Sequence, residues 1–214
     1  MTSDDRITLY YAPQTRATGA RVLLEELGAP YDLHVLNMKA GEQRQPAYLA
    51  INPLGKVPAV RHRGELVTEQ VAIFIYLADL FPAAGLTPAL DDAKRGPYLR
   101  WIAYYGTTFE PALMDKFLQH TPAPPTQSPY SDYDTMLGAL EAQLAKGPYI
   151  LGDRLTAADI LWGIALNWTM MFGLVPKTDV FTRYAASITN RPAFQRITAL
   201  DVEMAAQHAA AAGT

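Results

Sequence analysis

The sequence predicts an α/β region followed by an all-helical region. Strand patterns alternate with helical spacing up to residue 80, and a segment rich in proline and small residues follows at 82–92. The chain beyond that segment shows helical spacing alone. We therefore place the domain boundary in this segment, with domains at residues 1–82 and 92–214. Hydrophobic residues make up 50% of the 214, enough for a buried core in each domain.

The first domain begins with a strand, a helix and a second strand. Ile7–Tyr11 is β-branched and aromatic, which is typical of a strand. Between residues 15 and 27 apolar side chains recur at helical spacing, and Gly28 follows as a C-terminal cap. Tyr31–Val35 has a second strand pattern. A strand, a helix and a strand in this order favour a right-handed parallel crossover.

A hairpin and a further helix complete the first domain. Residues 57–60 and a short strand at 66–67 flank the turn at Arg63 and Gly64, and residues 71–80 form an apolar helix. The complete order, βαβ followed by ββα, is the layout of a thioredoxin-like domain.

The second domain shows helical patterns only. Its first helix has a core stripe at helical spacing. The members of this stripe are Tyr98, Trp101, Ile102, Tyr105, Phe109 and Leu113. A proline-rich loop at 121–131 follows, and Thr156 with Asp159 predicts a capping box before an apolar helix. Residues 201–212 are rich in alanine and predict a weakly anchored last helix.

Residues 51–60 contain the first half of a candidate binding site. The segment from Asn52 to Gly55 is a strong turn sequence, because its proline sets one φ angle and its glycine permits a positive one. Pro58 cannot donate to a sheet ladder, so the Val57–Pro58 bond is predicted to lie at an edge or bend, where a cis bond is tolerated. Such a bend leaves the amide and carbonyl of Val57 unpaired. These groups can bind a peptide-like ligand by strand addition.

Glu69 and Gln70 form the second half, because they begin an apolar helix whose N-terminus favours a carboxylate. The two halves together resemble the glutathione site of the glutathione transferase superfamily, in a member of the bacterial type. In that family, a valine before a cis proline pairs with the cysteinyl backbone of glutathione, and an acidic-polar dipeptide holds its γ-glutamyl end. The resemblance gives glutathione-binding roles to Val57, Pro58, Glu69 and Gln70. Serine is the usual residue at the position of Gln70.

The resemblance covers nearly the whole chain. It implies a thioredoxin-like N-terminal domain, an all-helical C-terminal domain and a homodimer. Members of the family often reach the glycine carboxylate of glutathione from the region after the second strand, where this chain has Lys39. A solvated surface charge is the alternative interpretation of Lys39.

The resemblance also implies an enzyme whose main task is to ionise the glutathione thiol. Glutathione is then the co-substrate and the nucleophile, and no other cofactor is expected. A free thiol has a pKa of about 8.5. Lowering it by about two units requires roughly 2.7 kcal/mol, and one hydrogen bond to a charged acceptor contributes roughly 1.5–3 kcal/mol. One well-placed donor is therefore enough for most of the effect.

The donor is the point at which this chain departs from the family. Family members use a tyrosine in the first strand, or a serine or cysteine shortly after it, but residues 10–22 contain no serine or cysteine. The first catalytic candidate is Thr15 at the helix N-terminus, with Arg16 adding positive potential. The second is a phenol, from Tyr10 or Tyr11, of which at most one faces the ligand because alternate strand residues face opposite ways. Backbone amides with Arg16 alone, or no activation, are the remaining options.

Tyr104 and Thr108 lie beside the core stripe and are candidates for a pocket that takes a small hydrophobic electrophile. We therefore expect a glutathione transferase that stabilises the thiolate for attack on such molecules in detoxification. Two alternatives stay open. One is a specialised glutathione-dependent isomerase, dehalogenase or lyase; the other is a non-catalytic module that binds glutathione or a protein partner.

Composition narrows the range of partners. The net charge is −3, which gives no reason to expect a nucleic-acid partner. The absence of cysteine excludes disulfides, cysteine-ligated zinc and a cysteine nucleophile, and four scattered histidines have no metal-ligand spacing, so no metal is expected. No apolar run approaches the roughly 20 residues of a membrane span. The first six residues are polar, so we expect no signal core and a cytoplasmic location.

Overall fold

The computed structural model describes residues 6–212; the predicted domains also include residues 1–5 and 213–214, which lie outside this range. The contacts divide the chain into two compact units. Unit 1 joins the chain up to Ala84 with the chain from Pro192 onward, and unit 2 is Gly85–Arg191. The predicted domains differ from these units in the last helix, which packs against the first helix of unit 1.

A mixed four-stranded sheet lies in unit 1. Its strands are β1 (Ile7–Tyr11), β2 (Tyr31–Val35), β3 (Ala59–His62) and β4 (Glu65–Val67), in the order β2-β1-β3-β4. β1 is parallel to β2 and antiparallel to β3, which is antiparallel to β4. This arrangement confirms the predicted thioredoxin-like layout.

Among its described residues, unit 1 also contains four helices. They are α1 (Ala17–Glu26), α2 (Pro46–Leu49), α3 (Gln70–Leu80) and α9 (Pro192–Ala212), with short 3-10 turns at Glu42–Arg44 and Pro82–Ala84. Both α1 and α3 contact the sheet. α1 packs against both α3 and α9. It begins two residues later than predicted, because residues 13–16 form a turn in which Gln14 has a φ of 55°.

The prediction of a weakly anchored last helix is wrong at Asp201. This residue is only 2% exposed, and Ile197, one turn earlier, is 1% exposed. Three hydrogen-bond donors hold the Asp201 carboxylate, as described below. Asp201, with its three donors, therefore anchors the start of an alanine-rich stretch, and the Asn37 side-chain amide donates to the His208 carbonyl, at 3.3 Å, further along it.

Unit 2 is helical, with one isolated β-bridge between Tyr149 and Gly152 among its described residues. Its helices are α4 (Arg95–Tyr104), a π-helical turn (Tyr105–Phe109), α5 (Glu110–Phe117), α6 (Tyr133–Leu144), α7 (Ala157–Met171) and α8 (Asp179–Thr189). The predicted core stripe is confirmed, since each of its side chains is at most 2% exposed.

The predicted capping box is also confirmed. Thr156 and Asp159 bond reciprocally at the start of α7. The Asp159 carboxylate accepts further hydrogen bonds from the Ile150 amide, at 2.7 Å, and from the Tyr184 hydroxyl, at 2.7 Å. The cap therefore joins α7 to the preceding loop and to α8.

Candidate functional site

The turn at residues 52–55 fixes the chain that leads into β3. Asn52 is buried, and its side-chain amide donates to the Lys56 carbonyl at 2.9 Å. The Tyr48 hydroxyl donates to the same carbonyl at 2.7 Å. Two separate side chains therefore hold the peptide immediately before Val57.

Gly55 is required in this turn for two reasons. Its φ is 61°, a value that favours glycine, and an added Cβ would lie 2.6 Å from the Gln43 carbonyl oxygen. The close approach ties the turn to the preceding 3-10 segment.

The Val57–Pro58 peptide bond is cis, as predicted. The β3 ladder begins at Ala59, and β3 lies inside the sheet between β1 and β4, so the bond lies at a bend rather than on an edge strand. Among the described residues, no backbone hydrogen bond involves the Val57 amide or carbonyl. This half-buried residue therefore presents a main-chain donor and an acceptor to an extended ligand.

Glu69 and Gln70 stand at the N-terminus of α3. Glu69 is exposed and has a φ of 63°, a conformation that non-glycine residues adopt rarely. The Gln70 side-chain amide donates to the Arg16 carbonyl at 3.4 Å. This contact brings the N-terminus of α3 beside that of α1.

The segment of residues 12–16, called the site loop below, connects β1 to α1. The Thr15 hydroxyl donates to the Ala12 carbonyl at 2.8 Å and accepts from the Ala17 amide at 3.1 Å. Thr15 is half-buried and Arg16 is exposed. The bond from Gln70 to the Arg16 carbonyl thus brings the first pair of catalytic candidates close to the start of α3. The Thr15 hydroxyl both donates and accepts a hydrogen bond.

The two candidate tyrosines of β1 lie in different surroundings. Tyr10 is 5% exposed and packs against the rings of His34 and Tyr48. Tyr11 is fully buried, and its hydroxyl donates to the Asp201 carboxylate. Burial, and after it the hydrogen bond to Asp201, raise the pKa of Tyr11 above its ordinary value. Neither phenol is an exposed donor.

Asp201 of α9 is a site residue that sequence reasoning missed. Its carboxylate accepts from the Thr18 hydroxyl at 2.5 Å, from the Gln14 amide at 3.0 Å and from the Tyr11 hydroxyl. The only signal in the sequence is an acidic residue four positions after Ile197, on the face that the helix buries.

The remaining candidates are Lys39, which follows β2, and two residues of unit 2. Lys39 is exposed, and its backbone amide donates to the Asn37 side chain at 3.1 Å. Tyr104 is half-buried, donates to the Met136 carbonyl at 3.0 Å, and has a pKa raised by burial. Thr108 is half-buried in the π-helical turn, with its hydroxyl 3.4 Å from that of Thr107.

Within residues 6–212, no group of three or more histidine, cysteine or acidic side chains could hold a metal ion. In the same range, no helix combines the length and the apolar character that crossing a membrane requires.

Comparisons with known proteins agree with this geometry. Residues 5–79 match the family described as "Glutathione S-transferase, N-terminal domain", and residues 130–183 match "Glutathione S-transferase, C-terminal domain". Glutathione S-transferase F10 of Arabidopsis thaliana is 30% identical, over 72% of this chain and 76% of the relative. This chain belongs to the glutathione S-transferase superfamily.

Other members of the superfamily extend the likeness. Glutathione S-transferase GstA of Escherichia coli O157:H7 is 29% identical over 75% of this chain and 81% of the relative. A glutathione transferase from Methylococcus capsulatus strain Bath has a TM-score of 0.77 at 27% identity, covering 91% of this chain and 98% of that one. A sphingomonad glutathione S-transferase, solved with glutathione, has a TM-score of 0.75 at 27% identity and the same coverage.

The predicted superfamily, fold class and enzyme class are thereby confirmed, and the chain is a glutathione S-transferase enzyme. The N-terminal family match spans β1 to most of α3 and so includes the site loop, Val57 and Gln70. The roles of individual residues in this glutathione S-transferase remain predictions.

Proposed function

We propose that unit 1 binds glutathione in an extended form, with its thiol at the site loop. The observation that carries this proposal is the hydrogen bond from the Gln70 side chain to the Arg16 carbonyl. This bond joins the start of α3, where we propose that the γ-glutamyl end binds, to the start of α1, which carries the candidates for thiol activation. The sphingomonad transferase solved with glutathione is consistent with this use of the fold.

Main-chain groups would provide much of the binding. The unpaired amide and carbonyl of Val57 would pair with the cysteinyl backbone, as an added strand pairs with a sheet. The amides at the start of α3 and the Gln70 side chain would bind the γ-glutamyl end, since a helix N-terminus favours a carboxylate. Pro58 and Glu69 shape the backbone on either side, and Lys39 would attract the glycine carboxylate.

Thr15 is the donor that we favour for the thiolate. Its hydroxyl proton now bonds the neutral Ala12 carbonyl, and turning it to the sulfur replaces that bond with a stronger, charge-assisted one. The Ala17 amide donates to the Thr15 oxygen and so polarises the hydroxyl. The α1 N-terminus and the exposed Arg16 add positive potential.

The phenol of Tyr11 is less suited to this role. Its proton is bonded to a buried carboxylate, and donation to a sulfur would leave Asp201 without one of its three partners. A buried acceptor that loses its partner destabilises the structure by about 1–3 kcal/mol. Tyr10 is enclosed by aromatic side chains on its own face of the sheet.

The reaction that follows is attack by the thiolate on a hydrophobic electrophile. In a substitution, a sulfur–carbon bond forms while the leaving group departs with its electron pair; in an addition, a solvent proton completes the product. The proton lost by the thiol passes to solvent. We propose Tyr104 and Thr108 as contacts for the electrophile, on the basis of their half-buried positions at the α4–π junction.

We further propose that the chain is a cytoplasmic homodimer that acts in detoxification. The resemblance of its site motif to the superfamily supports this assignment.

The proposal is tested by titration calorimetry with glutathione, an ultraviolet scan for bound thiolate at neutral pH, and conjugation of a generic aryl halide. Saturable binding, thiolate absorbance and conjugation together are the expected result. Binding without thiolate absorbance would instead indicate the non-catalytic module. Turnover of halogenated or maleyl-type substrates, without aryl conjugation, would indicate the specialised enzyme.

A further inference from the structure

We propose that Asp201 is a positioning residue for thiol activation, holding the site loop in place from α9 through the Gln14 amide. The inference rests on the proposed function, because the loop that it holds presents Thr15. Asp201 has no assigned part in binding glutathione, and it acts through backbone and side-chain contacts within unit 1.

The conformation of Gln14 explains why the site loop needs an external partner. Gln14 has a φ of 55°, in the left-handed region that glutamine seldom adopts. Its amide donates to Asp201 at 3.0 Å, and the next residue in the chain is Thr15. A shift at Gln14 would therefore move the Thr15 hydroxyl, and a displacement of about 1 Å can lower a rate by roughly a hundredfold.

Two further donors fix the carboxylate itself. Thr18 on α1 and Tyr11 on β1 both donate to it, so Asp201 joins the two elements that the site loop connects. The three donors account for most of the acceptor capacity of a carboxylate. Its orientation is thereby set by the same two elements whose relative position decides the shape of the loop.

A buried arginine lies beside Tyr11, one of the partners of Asp201. The guanidinium of Arg21, which is 9% exposed, lies over the ring of Tyr11 at 5.2 Å and donates to the Tyr31 hydroxyl at 3.3 Å. Its Nη1 atom is buried and has no hydrogen-bond partner among the described residues. The cation thus contacts Tyr11, one of the three partners of Asp201, in the same buried region of unit 1.

Substitutions at Asp201 separate position from charge. In D201N the amide oxygen can still accept from Gln14 and Thr18, and the amide nitrogen can donate to Tyr11, whose hydroxyl then accepts. D201E keeps the charge but displaces the carboxylate by one methylene. D201A removes every contact. R196A is the matched control, because Arg196 also joins α9 to α1, through Glu25, but does not touch the site loop.

The readout is the pH dependence of thiolate absorbance in the glutathione complex, together with kcat/KM. We expect D201A and D201E to raise the thiol pKa by about one unit and to lower kcat/KM below that pKa by roughly tenfold. D201N and R196A should stay within about 0.3 unit of the wild type. Should D201A fail to fold, the D201N and D201E pair still decides the outcome.

In the pKa titrations, three results would overturn the inference: an unchanged thiol pKa in D201E and D201A, an equal shift in D201N and D201E, or an equal shift in R196A. Amide hydrogen exchange at Gln14, measured without glutathione, distinguishes a failure of the positioning role of Asp201 from a failure of the proposed function. A wild type without thiolate refutes the proposed function. If D201A does not accelerate hydrogen exchange at the Gln14 amide, the positioning role is refuted, whatever the pKa of the thiol in that variant.

Discussion

Asp159 in unit 2 and Asp201 in unit 1 are both buried carboxylates that gather hydrogen-bond donors from several elements. Asp159 is fully buried and accepts from the Thr156 amide and hydroxyl, the Ile150 amide and the Tyr184 hydroxyl. All of these donors belong to the helical scaffold. Asp201 accepts from three donors, one of which is an amide of the site loop.

The comparison indicates that two similar buried networks can have different roles, one in folding and the other in catalysis. Burial raises the pKa of Asp159 above its ordinary value, and its hydrogen bonds oppose that shift, so these bonds offset part of the desolvation of the carboxylate. Losing Asp159 should therefore affect folding. Losing Asp201 should affect the chemistry of unit 1, because its partners lie on both sides of the residue that we propose as the thiol's donor.

The largest effect is expected at Asp159, the buried carboxylate of unit 2. D159A removes a helix cap, typically about 1 kcal/mol, and leaves buried donors at Ile150 and Tyr184 without an acceptor, at about 1–3 kcal/mol each. We expect a total loss of about 3–5 kcal/mol in the free energy of unfolding, measured by urea denaturation. T178A, which removes a single cap bond at the start of α8, is the control and should lose about 1 kcal/mol. A loss no greater than that control would contradict the account of Asp159.

The next effect concerns the thiol. T15A removes the proposed donor, so the thiol pKa of bound glutathione should rise by about one to two units. T15S keeps the hydroxyl and should stay within about half a unit. Ultraviolet titration of each complex measures these values. If T15A titrates like the wild type, the role passes to Arg16 or to a tyrosine.

A smaller effect is expected at the γ-glutamyl site. Q70A loses one side-chain hydrogen-bonding group, so the Kd for glutathione should rise by roughly fivefold, equivalent to about 1 kcal/mol. Q70S restores the residue that the family usually has, and should bind more tightly than Q70A. Calorimetry compares the three proteins. Equal affinity in Q70A and the wild type would argue against Gln70 as a ligand-binding residue.

The smallest effect is expected at Asp132, a surface carboxylate. Asp132 caps α6, and its bonds to the Thr135 amide, at 2.8 Å, and hydroxyl, at 2.7 Å, lower its pKa below 3.8. A lowered pKa in the folded state means that this stabilisation is present above pH 3.8 and is lost as the pH falls through the folded value. The difference in Tm between wild type and D132A should therefore shrink from about pH 6 to about pH 3. A constant difference over that range would show that the carboxylate charge contributes nothing.

Local patterns predicted much of the fold. The strands Ile7–Tyr11 and Tyr31–Val35 begin and end where their composition indicated, and the Val57–Pro58 bond is cis. These features depend on a few consecutive residues, such as a proline or a β-branched run. The capping box at Thr156 and Asp159 is equally local, and its spacing alone identified it.

Features that depend on distant contacts were not predicted. Tyr11 and Asp201 are 190 residues apart, and no local rule connects a strand tyrosine with an acidic residue in an alanine-rich helix. The same limit applies to Tyr48, whose hydroxyl supports the Lys56 carbonyl from a four-residue helix too short to show a period. The helix that the spacing predicted is continuous from α4 to α5, but the spacing did not reveal the π-helical turn at Tyr105–Phe109 within it.

The central claim is that unit 1 binds glutathione and ionises its thiol, and a pH titration of thiolate absorbance in the saturated wild-type complex tests it most directly. The account predicts saturable binding and a thiol that titrates at least one unit below the free value of about 8.5. A midpoint at the free value, or no saturation at millimolar glutathione, would contradict it.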